Sequence, residues 1–353
     1  MERAASQFMD ELSMDVIVKS FNRPYCLDRC LRSITRFLRG VRSVRVLDDG
    51  TPDKFLDEIQ RRHPEVEISR SERHAEKSAF LTNYSSQKSN RLPETMSVIP
   101  WDLWRCAIKT ASHHFLLLED DQWCVREMDL GNIGQVMKAT DCAIVRLFQS
   151  PVFDCGRLST LSPELCRVEP WYLKTPLHTL FYKAYFTNQC KLGSVLRRLG
   201  IADGRWALEA YAVYVVCGIF DRSFWLEVTR GAGEGINERL QLFHALKWAA
   251  RHRHAAFART TGDQVSTTFR SSSSSGELDR AVGFDMVLFN QILNEHWLAG
   301  RLDSSAGMPG DFPKETVLNL LSKTAEPRCT PEKWLQWCDR FTENFRNLGC
   351  PVG

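Results

Sequence analysis

No Cys-x-x-Cys pair occurs among the twelve cysteines of this 353-residue chain. That absence removes the commonest zinc and dithiol spacings. The closest two, Cys26 and Cys30, fall on one face of a predicted helix beside Leu27 and Leu31, where free thiols pack as small apolar groups. Long apolar runs are also missing. Phe115–Leu118 and Tyr211–Phe220 are the fullest, and both fall far short of the ~20 residues a spanning helix needs. Met1–Ser13 carries Glu2, Asp10 and Glu11 around no apolar core, which argues against a secretory signal and sets the expectation of a soluble, cytoplasmic protein. Charge of one sign is scarce as well: 46 Lys and Arg face 43 Asp and Glu, for a net +3. So small an excess gives no reason to expect a nucleic-acid partner. Ser20–Pro24, after the first predicted strand, holds no glycine, so the G-x-G-x-x-G of dinucleotide oxidoreductases is absent. No internal repeat is found.

What is present is an alternation of strands and helices. Met14–Val18 is a short apolar run ending in Lys19-Ser20-Phe21-Asn22-Arg23-Pro24. Pro24 suits the first turn of a helix, and Leu27, Leu31, Ile34 and Leu38 repeat at helical spacing until Gly40. Arg29, Arg32, Arg36 and Arg39 read as the solvated face of that helix, with weak attraction to an anionic membrane surface as the alternative. Val44–Leu47 predicts a second strand, and Asp48-Asp49-Gly50 a turn. A helix burying Phe55 and Ile59 follows, then a strand at Val66–Ser69. Ser71–Pro100, with Lys77, Asn83, Lys88 and Arg91, is polar and yields no placement. A helix from Trp101 to Ala111 leads into Phe115–Leu118, a fully buried strand that runs straight into Glu119-Asp120-Asp121.

Strands alternating with helices predict a mostly parallel sheet covered on both faces. Ligands of such sheets bind beyond the carboxyl ends of the strands. Three predicted strand ends carry polar clusters: Ser20–Arg23, Asp48–Asp49 and Glu119–Asp121. Magnesium and manganese take oxygen ligands, often only one or two carboxylates beside phosphate and water. Glu119-Asp120-Asp121 supplies such carboxylates at a buried strand end. An acidic turn is the plainer reading of the triplet, and an ordinary turn that of Asp48-Asp49-Gly50-Thr51.

Val16–Pro24, Val46-Leu47-Asp48-Asp49-Gly50-Thr51 and Leu117–Asp121, in this order and spacing, resemble family 2-like glycosyltransferases of GT-A fold over about the first third of the chain. The resemblance implies a Rossmann-like α/β sheet flanked by helices, with a helical C-terminal extension. It implies transfer of a hexosyl or N-acetylhexosaminyl group from a nucleotide diphosphate donor, a UDP-sugar for choice, to a hydroxyl on a glycan, lipid-linked or small-molecule acceptor, with inversion. Carried over by position, Ser20, Phe21, Asn22 and Arg23 border the nucleotide, and Asp48 accepts from the base. Asp120 approaches the ribose or diphosphate, and Asp121, helped by Glu119, holds Mn2+ or Mg2+. The E-D-D form departs from a strict D-x-D.

The resemblance also implies a catalytic carboxylate eighty to one hundred residues further on. Asp203 and Glu209 fall in that window. Ala210 stands where an E-D pair would place its second acid, and Asp221 is a third candidate. A surface carboxylate is the plainer reading of each. His178 lies among Trp171, Tyr172, Phe181 and Tyr182, a segment that reads as packed core or as a sugar-stacking wall. Thr261–Thr267 resembles a late G-x-x-S-[ST] turn of these enzymes, and Ser271–Ser275 reads as a flexible run. The expected organisation is a nucleotide-sugar half at 14–125, an acceptor and catalytic half at 126–270, and a flexible loop with helical extension at 271–353. Two other readings compete: a sugar-phosphate nucleotidyltransferase, which would want a Gly-rich loop after the first strand, and a catalytically silent GT-A-like binding module.

Overall fold

The computed structural model describes residues 13–86, 93–149, 158–170, 176–201, 211–231, 235, 237–273, 276–324, 326–347 and 352. The main sheet contains β1 (Met14–Ser20), β2 (Val41–Asp48), β3 (Glu67–Arg70), β4 (His114–Glu119), β5 (Cys142–Arg146), β6 (Leu158–Thr160), β7 (Leu165–Val168), β8 (Gly218–Asp221) and β9 (Ala256–Thr260). They are hydrogen-bonded in the order β3-β2-β1-β4-β8-β5-β9-β7-β6. β2 pairs with β3, and β9 with β5, in parallel. Asp49 N–H donates to Ser20 O and Asp120 N–H to Lys19 O, so β1, β2 and β4 end side by side. β8 runs against β4 and β5, and β7 against β9 and β6. The sheet is therefore mainly parallel, with β8 and β7 the two reversed strands.

The chain forms two compact units. The first holds residues 16–104, 118–129 and 264–353. In β1, Val16, Ile17 and Val18 are all fully buried. A strand covered on both faces needs such an unbroken apolar run rather than alternation. Helix Pro24–Phe37 follows, with Pro24 opening it and Leu27, Leu31 and Ile34 buried. It stops before Gly40, because Leu38–Arg39 turns into a short strand paired with Met128–Asp129. The unplaced segment after Ser71 supplies a helix, His74–Thr82.

C-terminal helix Met286–Leu298 packs on helices Pro24–Phe37 and Asp53–Arg62 of the same unit. A buried polar hub fastens it. Asp28, with no exposed surface, accepts from Trp297 Nε1 at 2.9 Å, Ser304 Oγ at 2.6 Å, Arg62 Nη1 at 2.8 Å and Arg32 Nε at 3.0 Å, with His63 Nε2 at 2.8 Å. Arg29 corrects the expectation of a solvated arginine face. It is fully buried, stacked 4.2 Å from Trp123 and 4.5 Å from Phe312, and donates to the carbonyls of Ser304, Ala306 and Gly310. Helical spacing shows that Arg32, Arg36 and Arg29 share a side, but not that residues 304–312 cover its first turn. The serine run is corrected at its start too. Ser271 is buried and donates to Asn290 Oδ1 at 2.7 Å.

The second unit holds residues 1–15, 105–117 and 130–263. Its core stacks Phe115 on Phe220 and sets Phe224 against Trp248 and Phe257. The run Tyr211–Phe220 is not one strand: only Gly218–Asp221 is extended, and residues 211–217 turn. Ala212, Val213, Tyr214 and Val215 are buried all the same, and an apolar run reports burial rather than conformation. No described helix is long and apolar enough to cross a membrane.

Candidate functional site

The three polar strand ends named from the sequence meet within the first unit, at the turn Ser20–Arg23. Asn22 takes a left-handed backbone there, with φ +52°. An Asn tolerates that conformation better than a bulkier residue does. The turn is clasped from both sides: Phe21 N–H donates to Asp120 Oδ2 at 2.9 Å, and Asn22 N–H to Thr51 Oγ1 at 2.9 Å.

On the β4 side, Arg23 reaches both acids of the following turn. Nη2 lies 2.5 Å from Asp120 Oδ1 and Nη1 2.9 Å from Asp121 Oδ2. Burial works against the guanidinium charge, yet the two carboxylates hold Arg23 above its usual value. For Asp120 the balance is reversed: burial pushes it up to about 7 against the pull of Arg23. Glu119 pairs with Lys19 at 2.7 Å. Burial would raise it, but Lys19 outweighs burial and keeps Glu119 below the usual carboxylate range. The acids differ in openness. The Asp120 side chain is 2% exposed, that of Asp121 19% and that of Glu119 37%.

On the β2 side, Asp48 is fully buried and closes its own turn. Its Oδ1 accepts from the N–H groups of Gly50 and Thr51 at 2.9 and 2.8 Å, and its Oδ2 from Thr51 Oγ1 at 2.6 Å. His74 Nε2 stands 3.2 Å from Oδ1. Asp49 instead meets Lys77 Nζ at 2.6 Å. Burial raises Asp49 above its usual value although Lys77 opposes it. Lys77 is 1% exposed, also donates to Val98 O, and lies 5.7 Å from the Phe21 ring.

Sequence reading named Ser20, Phe21, Asn22, Arg23, Asp48, Glu119, Asp120 and Asp121, and the structure brings all eight to these strand ends. Asp49 is named at its strand end with no role of its own, and Lys19, Lys77 and His74 are not assigned there. The signal for Lys77 was a lone lysine four residues before the buried Leu81, visible only once the helix is known. Asp203 and Glu209 lie outside the described residues, as does the side chain of His178. Asp221 is committed elsewhere: its Oδ1 caps helix Arg222–Val228 through Phe224 N–H, and its Oδ2 faces His113. The late turn arrives beside the acids, since Val265–Thr267 pairs with Gln122–Cys124 and Thr268 N–H donates to Asp121 O.

Two observations bear on a divalent cation. Five carboxylates (Asp48, Asp49, Glu119, Asp120, Asp121) face three cations (Lys19, Arg23, Lys77), a formal excess of two negative charges. Asp121 Oδ1 and Glu119 Oε2 also stay outside every hydrogen bond among the described residues. Magnesium and manganese often take only one or two protein carboxylates, and Asp121 and Glu119 each offer one such oxygen. Ser20 Oγ is a further buried polar atom with no described partner.

The fold and this site define an α/β protein whose polar residues gather at the carboxyl edge of a mainly parallel sheet, where open sheets hold their ligands. No family model matches the chain, and no curated protein matches it. Among solved structures it is similar to TarS 1-349 of S. aureus, with 11% identity, 95% of this chain and 80% of that chain covered, and a TM-score of 0.39. A longer S. aureus TarS structure gives 12% identity, 95% and 54% coverage, and the same TM-score. The chain thus spans just over half of that longer protein.

Proposed function

We propose that the chain is a metal-dependent glycosyltransferase of GT-A type, moving a sugar from a nucleotide diphosphate, UDP foremost, to an acceptor hydroxyl with inversion. The observation that carries this reading is the double clasp of Ser20–Arg23, Asp120 on one side and Thr51 on the other, which holds two acid-bearing strand ends against the turn that leaves a third. Asp121, with Glu119 beside it, would hold Mn2+ or Mg2+, and such an ion neutralises charge on a leaving diphosphate. Arg23 and Asp120 set the position of Asp121. Phe21, half-buried beside Lys77, offers a ring face for the base. Asp48, fully buried with both oxygens bonded to Gly50 and Thr51, shapes the turn beneath it rather than meeting the base. Either Asp203 or Glu209 would take the acceptor proton, a role that needs a carboxylate within hydrogen-bond reach of that hydroxyl.

Calorimetry with UDP, with and without Mn2+, tests the reading. Saturable, manganese-dependent binding that disappears in Asp121→Ala supports it, and donor-sugar hydrolysis unchanged in that variant overturns it. One observation favours a silent binding module as the second reading: Arg23 already pairs with two of the three acids. Failure of UDP to bind at any manganese concentration would favour that module. The nucleotidyltransferase gains no support, because Phe21 and Asn22 N–H groups are spent within the protein and not free to cradle phosphate.

A further inference from the structure

A second set of ligating side chains lies at the amino end of β4, within the unit of residues 1–15, 105–117 and 130–263. β4 and β8 are antiparallel, and their register sets His114 directly opposite Asp221. His113 precedes it, anchored where its carbonyl accepts Arg222 N–H at 2.9 Å. His113 Nε2 stands 3.2 Å from Asp221 Oδ2, and one nitrogen of each histidine and one oxygen of Asp221 all fall within 4.8 Å of one another. The other oxygen, Oδ1, accepts from Phe224 N–H at 2.9 Å and from Ser223 Oγ at 2.5 Å, which leaves Oδ2 to face His113.

We propose that His113, His114 and Asp221 form a site for a borderline divalent cation, zinc foremost, separate from the acids at Glu119–Asp121. Two imidazoles and a carboxylate suit zinc, cobalt, nickel or copper, whereas magnesium and manganese prefer all-oxygen shells. Ligands about 2.0–2.1 Å from a tetrahedral zinc stand roughly 3.3 Å from each other. The His113–Asp221 separation already meets that spacing, and the two edges to His114, at most 4.8 Å, would have to shorten on binding. Asp221 Oδ1 is held by the helix start, the kind of outer-shell support that orients a ligating carboxylate. His114 is buried and His113 is 68% exposed at its side chain, so the site has an entry path and an open fourth position for water. Burial, with help from His113, pushes His114 down to about 4. Asp221 and Asp141 pull His114 upward, and Lys138 pushes it down. The cation would tie β4 to β8 at their ends.

The test uses the full chain, stripped with a chelator and titrated with Zn2+ by calorimetry and with Co2+ by visible absorption. One equivalent of each should bind, with cobalt d–d bands, and excess Mg2+ should not displace them. His113→Ala and Asp221→Asn should each weaken binding at least tenfold, the second keeping a helix-capping side chain. Zn2+ should raise the Tm of the parent chain and not of either variant, since a ligand stabilises the state it binds. Asp121→Ala should leave this binding unchanged, which separates the proposal from the transferase reading. No stoichiometric binding, or affinity unaltered in both His113→Ala and Asp221→Asn, overturns it.

Discussion

Arg23 Nη2 sits 2.5 Å from Asp120 Oδ1, in a pair whose side chains are only 4% and 2% exposed. Neither charge has water to fall back on; Asp120 depends on Arg23, while Arg23 keeps Asp121 as a second partner. Removing one partner of such a pair typically costs about 3–5 kcal/mol. Arg23→Ala should destabilise the chain by about that much, read from urea midpoints, and Asp120→Ala by less, because Asp121 still pairs with Arg23. The double variant should cost clearly less than the two together, because the orphaned charge is gone. Additive losses would mean that the pair is not coupled.

The proton balance at Asp120 gives a pH signature. Its folded value, about 7, lies above its unfolded value near 3.8. The folded state then binds the extra proton between those values, and stability falls with rising pH wherever the folded state binds more protons. The contribution is complete below about pH 4 and lost as the pH passes 7. In Asp120→Asn, urea midpoints at pH 5 and pH 8 should therefore differ less than in the parent chain. An unchanged difference would assign the titration elsewhere.

Gly50 has φ +132°, and a Cβ built there would overlap Lys77 Cβ. Gly50→Ala should cost at least about 2 kcal/mol from backbone strain and overpacking. It should also weaken UDP binding by displacing Lys77 from Asp49. Loss of stability with UDP affinity intact would place the nucleotide away from this turn.

Asp121 carries the metal assignment and is the more open acid of its pair with Arg23. Asp121→Asn keeps the shape but lowers the charge, so it should reduce manganese affinity more than tenfold. Far-ultraviolet circular dichroism should stay that of the parent. Equal manganese affinity in parent and variant would leave Glu119 as the ligand.

Asp28 gathers donors from four parts of the chain. Asp28→Ala would leave several of them buried without an acceptor, each costing about 1–3 kcal/mol. The variant should unfold well below the parent's urea midpoint and release helix Met286–Leu298 to limited proteolysis. A parent-like midpoint would show that the hub adds nothing to docking the C-terminal helices.

The site's backbone was legible because strand ends announce themselves. An unbroken apolar run such as Phe115–Leu118 followed by three acids marks a buried strand leaving the sheet. The same logic exposed Ser20–Arg23 and Asp48–Asp49. What the acids do with their charge was not legible. Asp48 and Asp49 are neighbours in one D-D-G-T turn, yet one is spent on Gly50 and Thr51 and the other faces Lys77. That division depends on a helix of weak periodicity, His74–Thr82. Arg23 was placed at the nucleotide edge by position, and its bond to Asp120 joins residues 97 apart.

The order of strands and helices, the burial of their apolar runs and the polar clusters at three strand ends follow from the chain itself, because periodicity and turn chemistry act over a few residues. Partner choice belongs to the tertiary structure. Lys19 for Glu119, Arg23 for Asp120, Asp28 for Trp297 and His113 for Asp221 are met across 100, 97, 269 and 108 residues by strand register and helix docking. A charge's role is set by the dielectric and the partner it finds after folding, and local sequence carries neither.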